Sequence, residues 1–392
     1  MAVKTKERAV DDLPWMDVDD PQLAEDPAAF LARHRPGDWA YRSRRGVEII
    51  RYEPVWRFLT DRRLAPDVAD LRAASGLGEV NAFNGMLAAN GAHHARLRGS
   101  AAAYFSPARV EQWRPFVQDA CRRLMAGNGQ TVDLIPALCA PLPGLVFTRM
   151  IGAPESDAAR LCAWSDALLK IFYQDPANRD EILAADEALR EYVLDQLAAR
   201  RANPGDDLLS AMAARLDDDA ELTGLAAELL SASTDNTTSQ LGAALMHALA
   251  DPAIWAALAE DPTMPATVAA EAERLTPRVG FINRKANTHV VIDDLAIPAG
   301  TWIRCSVLAG HHDESVFDNP TAFQPRRADQ RRSLVFGAGP HYCIGAGLAQ
   351  VEIEEALRHL ATAYPGMHLI EEPVWQKSEV LAAVTSLPVA LS

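Results

Sequence analysis

Cysteine is scarce in this chain: the five in 392 residues, at positions 121, 139, 162, 305 and 343, are scattered with no CxxC pair. Such an odd, dispersed set excludes a disulfide framework, fits a reducing compartment and argues against structural zinc. Basic residues are outnumbered, with 38 Lys and Arg against 53 Asp and Glu and a net charge of −15. This excludes a general nucleic-acid binder, which needs Lys and Arg over a whole face. No apolar run approaches the ~18 residues of a membrane helix. The stretch Met1 to Asp20 is charged and broken by Pro where a signal peptide would be apolar. The expectation is a soluble, cytoplasmic protein with no membrane and no nucleic acid among its partners. Repeats and low-complexity segments are lacking too. What is there is 49% apolar and 23% charged, the balance of a globular chain able to bury a large core.

Residues 1–20 mix Lys, Glu and Asp with little periodicity and are expected to form a flexible arm, with a single domain over 21–392. Trp39 to Arg42 and Val47 to Tyr52 alternate around Ser43–Gly46 and predict a β-hairpin. From residue 54 to about 275, Ala, Leu, Arg and Glu recur at helical spacing, cut by Pro and Gly, and predict a mostly helical body. Strand character returns at His289–Ile292 and Thr301–Cys305, predicted to pair across Ile297–Gly300. Residues 308–342 carry no periodicity, longer than the ~15 structureless residues usual in a compact domain, and such loops tend to be functional. A helix is predicted from Ile344 to Ala363, and the alternation from Val380 to Leu391 predicts a return to sheet.

The segment Phe336-Gly-Ala-Gly-Pro-His-Tyr-Cys343-Ile-Gly-Ala-Gly carries the most information. Gly337 and Gly339 permit a tight backbone turn, Cys343 ends it, and a helix with Gly345 and Gly347 at its start follows. A sulfur at a helix N-terminus has its thiolate stabilised by unpaired amides and the helix dipole, and the two glycines leave room for a flat group. That suits an axial metal ligand. A buried inert cysteine and a nucleophile served by His341 are the alternatives.

The segment resembles the haem-ligand loop of the cytochrome P450 family, whose Phe-Gly-x-Gly-x-His-x-Cys-x-Gly pattern is filled at every fixed position. The resemblance implies a mainly α fold with small β-sheets, holding haem b between a long central helix and the cysteine loop. It implies Cys343 as the iron ligand, with Phe336 and Gly345 beside the cofactor. Propionate contacts are implied for His94 and Arg98, which form His-x-x-x-Arg on one helix face, and for Arg284 and His341. Glu271 and Arg274 match the family's Glu-x-x-Arg, completed by Arg327 or, one residue off in register, Arg326; this network belongs to folding rather than catalysis.

Within the apolar helix predicted over Leu222–Ala250 lies a polar block, Ser231 to Gln240, made of poor helix formers. Such side chains divert backbone hydrogen bonds; alternatively Ser233 or Asp235 caps a second, separate helix. By resemblance this is the oxygen-side groove, where an acid precedes a threonine. Aligned on Leu241-Gly242, the acid is Asp235, the threonine position holds Asn236, and Thr237 comes one place later. The departure opens three readings: a monooxygenase of secondary metabolism acting on a small-molecule or peptide-like substrate, an atypical enzyme of oxidative coupling, and a haem-thiolate binding protein without turnover. Substrate contacts are implied for Phe83, Met86, Tyr173, Phe281 and Thr385. Nothing resembles a flavin or nicotinamide segment, so electrons are expected from a ferredoxin and its ferredoxin reductase. Arg326, Arg327, Arg331 and Arg332, with Arg122 and Arg123, offer a basic spot for an acidic carrier.

Overall fold

A computed structural model describes residues 7–376, 378 and 381–392. The chain divides into two compact units where the sequence reading expects one domain over residues 21–392. One comprises residues up to Asp67, Ala270–Cys343 and Trp375–Ala383; the other comprises Val68–Ala269, Ile344–Val374 and Val384–Ser392.

The first unit is built on two sheets. Its strands are β1 (Arg8–Ala9), β2 (Ala40–Ser43), β3 (Gly46–Ile49), β4 (Leu64–Ala65), β5 (Phe281–Ala286), β6 (Val290–Ile292), β7 (Leu295–Ile297) and β8 (Trp302–Ser306). The larger sheet runs β2-β3-β8-β5-β4, and the smaller runs β1-β7-β6. The predicted hairpin is present as β2 and β3, antiparallel with Ala40 opposite Ile49. The second predicted pairing is not. Val290–Ile292 pairs with Leu295–Ile297, while Trp302–Ser306 enters the other sheet beside β3 and β5. The turn between β6 and β7 is made by Asp293, at φ 54°, and Asp294. Two aspartates read as ordinary surface charge, although a short polar side chain tolerates the left-handed region and so closes a tight hairpin.

The described part of the N-terminal segment, from residue 7 on, pairs and packs against the rest of its unit. β1 lies parallel to β7, Arg8 Nε reaches Asp294 at 2.9 Å, and Leu13, Met16 and Val18 are buried. Three isolated apolar side chains among acids carry no periodicity, yet Leu13 packs in a cluster with Val47, Ile49, Val55, Phe58, Ile303, Cys305 and Phe317, and Met16 and Val18 pack in a second one with Phe30, Leu31, Tyr41 and Phe281.

The second unit is helical: α1 (Val68–Ala74), α2 (Gly91–Ala101), α3 (Arg114–Met125), α4 (Pro141–Met150), α5 (Ala158–Leu169), α6 (Arg179–Ala202), α7 (Asp219–Leu249), α8 (Pro252–Glu260) and α9 (Ala346–Ala363). A small sheet places Pro388–Ala390 between Thr131–Asp133 and His368–Leu369. Of the predicted return to sheet, Ala383–Ser386 and Pro388–Ala390 form strands, and Val380 lies outside the described residues.

The helix α7 starts at an Asp218 cap, whose carboxylate accepts from Ala220 and Glu221 N–H, and runs unbroken for 31 residues. The polar block therefore stays helical, and neither Ser233 nor Asp235 caps a separate helix. Its hydroxyls bond both within and beyond the helix: Ser233 donates to Leu230 O at 3.0 Å and Thr238 to Cys139 O at 3.0 Å, while Ser231 Oγ is buried without a partner. Thr234 also reaches Leu230 O, and shares a buried 2.7 Å bond with Ser165 of α5. Tertiary contacts override the weak helix propensity of the run. Among the described residues no single helix is long and apolar enough to cross a membrane.

Candidate functional site

In the sheet unit, the site is the loop that ends at Cys343. Gly337 and Gly339 sit at φ 70° and 68°, a region costly for any residue with a Cβ. At Gly339 the demand is double, because a Cβ there would lie 2.9 Å from Thr60 Cα. Cys343 N–H donates to Phe336 O at 2.9 Å, closing the loop, and Phe336 meets Tyr342 edge-on at 6.2 Å. Cys343 is exposed, whereas Cys121, Cys139 and Cys305 are buried and Cys162 is half-buried. Burial pushes the Cys121 and Cys305 thiols up to about 12 and Cys162 up to about 11, so all of these stay protonated and inert. Cys343 stands apart as the accessible sulfur. Gly345 is the N-cap of α9; a Cβ on Gly347 would meet Val110 only at ordinary contact distance, 3.7 Å.

Also in this unit, Arg284 on β5 is 6% exposed, and burial holds its guanidinium below the usual arginine range despite Asp67 nearby. Next to it, Asn283 Oδ1 is buried without a partner. A buried cation short of compensating charge is what an incoming carboxylate would satisfy. His341, half-buried, lies on the loop two residues before the sulfur.

Glu271 is bonded to both Arg274 and Arg327. Arg274, with no exposed surface, grips Glu271 through Nε and Nη2 at 2.8 Å each, and Arg327 Nε reaches the same carboxylate at 2.8 Å. The register falls on Arg327, since Arg326 is exposed. Arg274 also donates to His311 O and Pro320 O at 2.8 Å, pinning the irregular stretch to the helix Met264–Leu275. Sequence reasoning missed His311. Its Nδ1–H donates to Arg274 O at 2.8 Å and its Nε2 accepts from Leu334 N–H at 2.7 Å, and burial pushes its pKa down to about 3. No local pattern announces a histidine whose two partners are backbone atoms.

In the helical unit, most of α7 is buried, but Ala232 is exposed and Ser233, Asp235 and Asn236 are half-covered midway along it. An uncovered stretch in the middle of a core helix marks a face left open for something else. Asn236 Nδ2 donates to Ala232 O at 3.1 Å, so its amide is folded back on its own helix. Thr237 points into the packing and is 4% exposed. Asp166 of α5 was missed from sequence: it follows Ser165 as Asp235 follows Thr234, and Ser165 and Thr234 are hydrogen-bonded. Asp166 reaches the surface, yet partial desolvation and then the Asp235 charge push its carboxyl up. His94 is buried on α2, its pKa pushed down by burial and by Arg98 one turn on, so it is neutral at pH 7.

The implied substrate contacts separate. Phe83 and Met86 are buried at 1% and 7% on the loop before α2, and Tyr173 is exposed. Phe281 is core, with the Arg304 guanidinium 4.2 Å over its ring. Thr385 is exposed and donates to Val374 O. Of the basic spot, Arg122 and Arg123 are both matched by Asp119, Arg123 also by Glu155, while Arg326, Arg331 and Arg332 stay exposed.

Comparison with known proteins follows the same line. The sequence profile described as Cytochrome P450 matches residues 184–364. The chain is 32% identical over 355 residues to nocardicin C N-oxygenase of Nocardia uniformis subsp. tsuyamanensis, covering 87% of this chain and 88% of that one. It is 30% identical over 386 residues to cytochrome P450 monooxygenase PikC of Streptomyces venezuelae, covering 94% and 91%. Among solved structures, the Bacillus subtilis 168 bacillaene polyketide synthase cytochrome P450 PksS superposes with a TM-score of 0.85 at 25% identity, over 95% of this chain and 98% of that one.

Proposed function

Because the chain belongs to the cytochrome P450 family and is therefore a haem b monooxygenase, we propose that Cys343 ligates the haem iron and that the enzyme oxidises a secondary metabolite with electrons from a ferredoxin. The observation that carries this reading is the glycine-turned loop whose end leaves Cys343 exposed, where the other four cysteines are buried or half-buried. Arg284 and His341 in one unit, and His94 and Arg98 in the other, would hold the propionates; the under-compensated Arg284 is the part of that set the fold leaves needing an anion. When bound, haem with a thiolate ligand supplies activation of dioxygen toward C–H oxidation.

The chain's own contribution is placement and proton supply. Asp235, on the uncovered face of α7, is the group able to carry a proton there, and Asp166 of α5, under the influence of its charge, holds a proton more readily than a solvated carboxylate. Asn236 presents no hydroxyl, and its amide is committed to Ala232 O. That observation favours a second reading, oxidative coupling, in which hydrogen is removed from substrate without oxygen being inserted. Phe83 and Met86 would line the substrate side. Exposed Arg326, Arg331 and Arg332 would receive an acidic carrier. Relatives named for oxygenation of nocardicin C and for polyketide biosynthesis support a natural product as the substrate class.

The test has two stages. Reduced holoprotein with carbon monoxide should show the red-shifted Soret band of a thiolate haem, lost in Cys343→Ala. Turnover with a ferredoxin and its reductase on a panel of natural products should then give products heavier by one oxygen. Products lighter by two hydrogens would establish the coupling reading, and binding shifts without any product would overturn both.

A further inference from the structure

Between α1 and α2 the chain has no regular structure from Ser75 to Asn90, and charged side chains hold this strap to the helical unit. At its start Arg72 donates to Val80 O at 2.7 Å and Ala82 O at 3.2 Å, and Asp186 of α6 accepts from Asn81 and Ala82 N–H at 2.9 and 2.7 Å. At its end the strap closes on Glu228 of α7: Leu87 N–H donates to both carboxylate oxygens, at 3.0 Å to Oε1 and 3.1 Å to Oε2, and the neighbouring Gly85 and Met86 amides also favour the anion there. Backbone amides turned toward one carboxylate favour its charge. The approach is so close that a Cβ on Gly85 would lie 2.7 Å from Glu228 Oε2. Glu228 is 2% exposed and sits one helical turn before Ala232, at the edge of the uncovered face of α7. Between the two anchors Phe83 is held at φ 61°, strained for a bulky residue, with its ring edge-on to Phe172 at 5.2 Å.

We propose that Glu228 is a positioning residue: its carboxyl latches the strap that presents Phe83 and Met86, and the proton on that carboxyl sets how often the strap lifts off α7. When the strap is down the carboxyl is out of water, and when it lifts the group is hydrated. Burial pushes it up to about 7, against the pull of these backbone amides and of Arg72, which is the neighbouring charge that acts on it; Asp186 faces the other anchor and acts on Arg72. The closed form therefore binds the proton more tightly than the open form, in which the carboxyl returns toward 4.5. By linkage, acid closes the strap. The open fraction rises between pH about 4.5 and about 7 and levels off above, by at most roughly 300-fold over that window. That the strap controls access to the catalytic face rests on the function proposed above; the latch itself does not.

The experiment is hydrogen–deuterium exchange of the full-length holoprotein, following peptides across residues 80–90 from pH 5 to 8 and dividing each rate by the intrinsic rate at that pH. Protection should fall tenfold or more as the pH rises to 7 and then level off. In Glu228→Gln it should be independent of pH, and in Asp186→Asn it should be lower throughout with the slope retained. If Glu228→Gln does not fold, Gly85→Ala replaces it, with low protection expected at every pH. Protection that does not change with pH in the wild type, or a slope that survives in Glu228→Gln, would overturn the proposal. The association rate of a bulky azole with the haem iron, measured on the same samples, separates the two claims. A rate that rises over the same pH window supports gating, whereas a strap that responds without azole binding leaves the latch standing and removes the haem site it serves.

Discussion

Replacing Arg274 with alanine probes a fully buried, multiply bonded charge in the sheet unit. The guanidinium makes two 2.8 Å bonds to Glu271, two more to the carbonyls of His311 and Pro320, and lies 5.3 Å over the Phe317 ring. Its removal leaves Glu271 with Arg327 as its one remaining cation, strands carbonyls that the 0% exposed site shields from water, and opens a cavity. Breaking a buried pair by deleting one partner costs about 3–5 kcal/mol, and the orphaned carbonyls add about 1–3 kcal/mol each before relaxation. Because relaxation recovers part of this, a net loss of about 5 kcal/mol is expected, comparable with the ~5–15 kcal/mol total stability of a folded protein. Equilibrium urea denaturation followed by circular dichroism measures it, with Arg326→Ala as the control, expected within ~0.5 kcal/mol because that side chain is exposed. Arg274→Ala and Glu271→Gln together should cost less than the sum of the singles, since each already strands the other. A loss below about 1.5 kcal/mol for Arg274→Ala, or strict additivity of the pair, would refute the reasoning.

His311 has its folded pKa pushed down to about 3 and His312 to about 4, so their stabilising contribution is complete above the unfolded value of 6.5 and is lost as the pH falls below it. Each group contributes a slope of up to ~1.4 kcal/mol per pH unit; His311→Gln should flatten the profile between pH 6.5 and 4 by one proton, read from urea titrations at stepped pH. Gly339→Ala is expected to cost about 2 kcal/mol or more, combining a left-handed backbone with a Cβ against Thr60 Cα. Gly337→Ala, whose Cβ would meet nothing nearer than 3.6 Å, should cost only about 1 kcal/mol, and thermal melts of the two variants compare them directly. Asn236→Thr, which restores a hydroxyl beside Asp235, should raise oxygenated product per electron consumed and lower hydrogen peroxide release; an unchanged ratio would show that this position does not govern proton delivery.

Local pattern carried much of the site. The glycines at 337 and 339, the sulfur at 343, and the Glu and Arg at 271 and 274 are spaced along single segments, so their chemistry is written in neighbouring letters. The same holds for the β2–β3 hairpin and for α9. The segments misjudged are those whose partners lie far away in sequence. Leu13 looks like a stray apolar residue until a core that includes Leu295 and Ile297 takes it in, and Met16 and Val18 do so until Phe30, Leu31 and Phe281 close over them. Val290–Ile292 reads as the partner of Thr301–Cys305, but the turn at Asp293 pairs it with Leu295–Ile297 instead.

Sequence alone pointed to the family this protein belongs to, because a glycine-turned cysteine loop, a Glu-x-x-Arg pair and a long apolar helix with a polar centre each follow from residue identity and short spacing. Tertiary structure decided how those parts are held. It selected Arg327 over Arg326, kept the polar centre of α7 helical, neutralised His311, brought Asp166 under the influence of the Asp235 charge and closed the Leu87 amide on Glu228. Each of these is a matter of burial and of partners distant in the chain. Desolvation and long-range hydrogen bonds exist only once the chain has closed on itself.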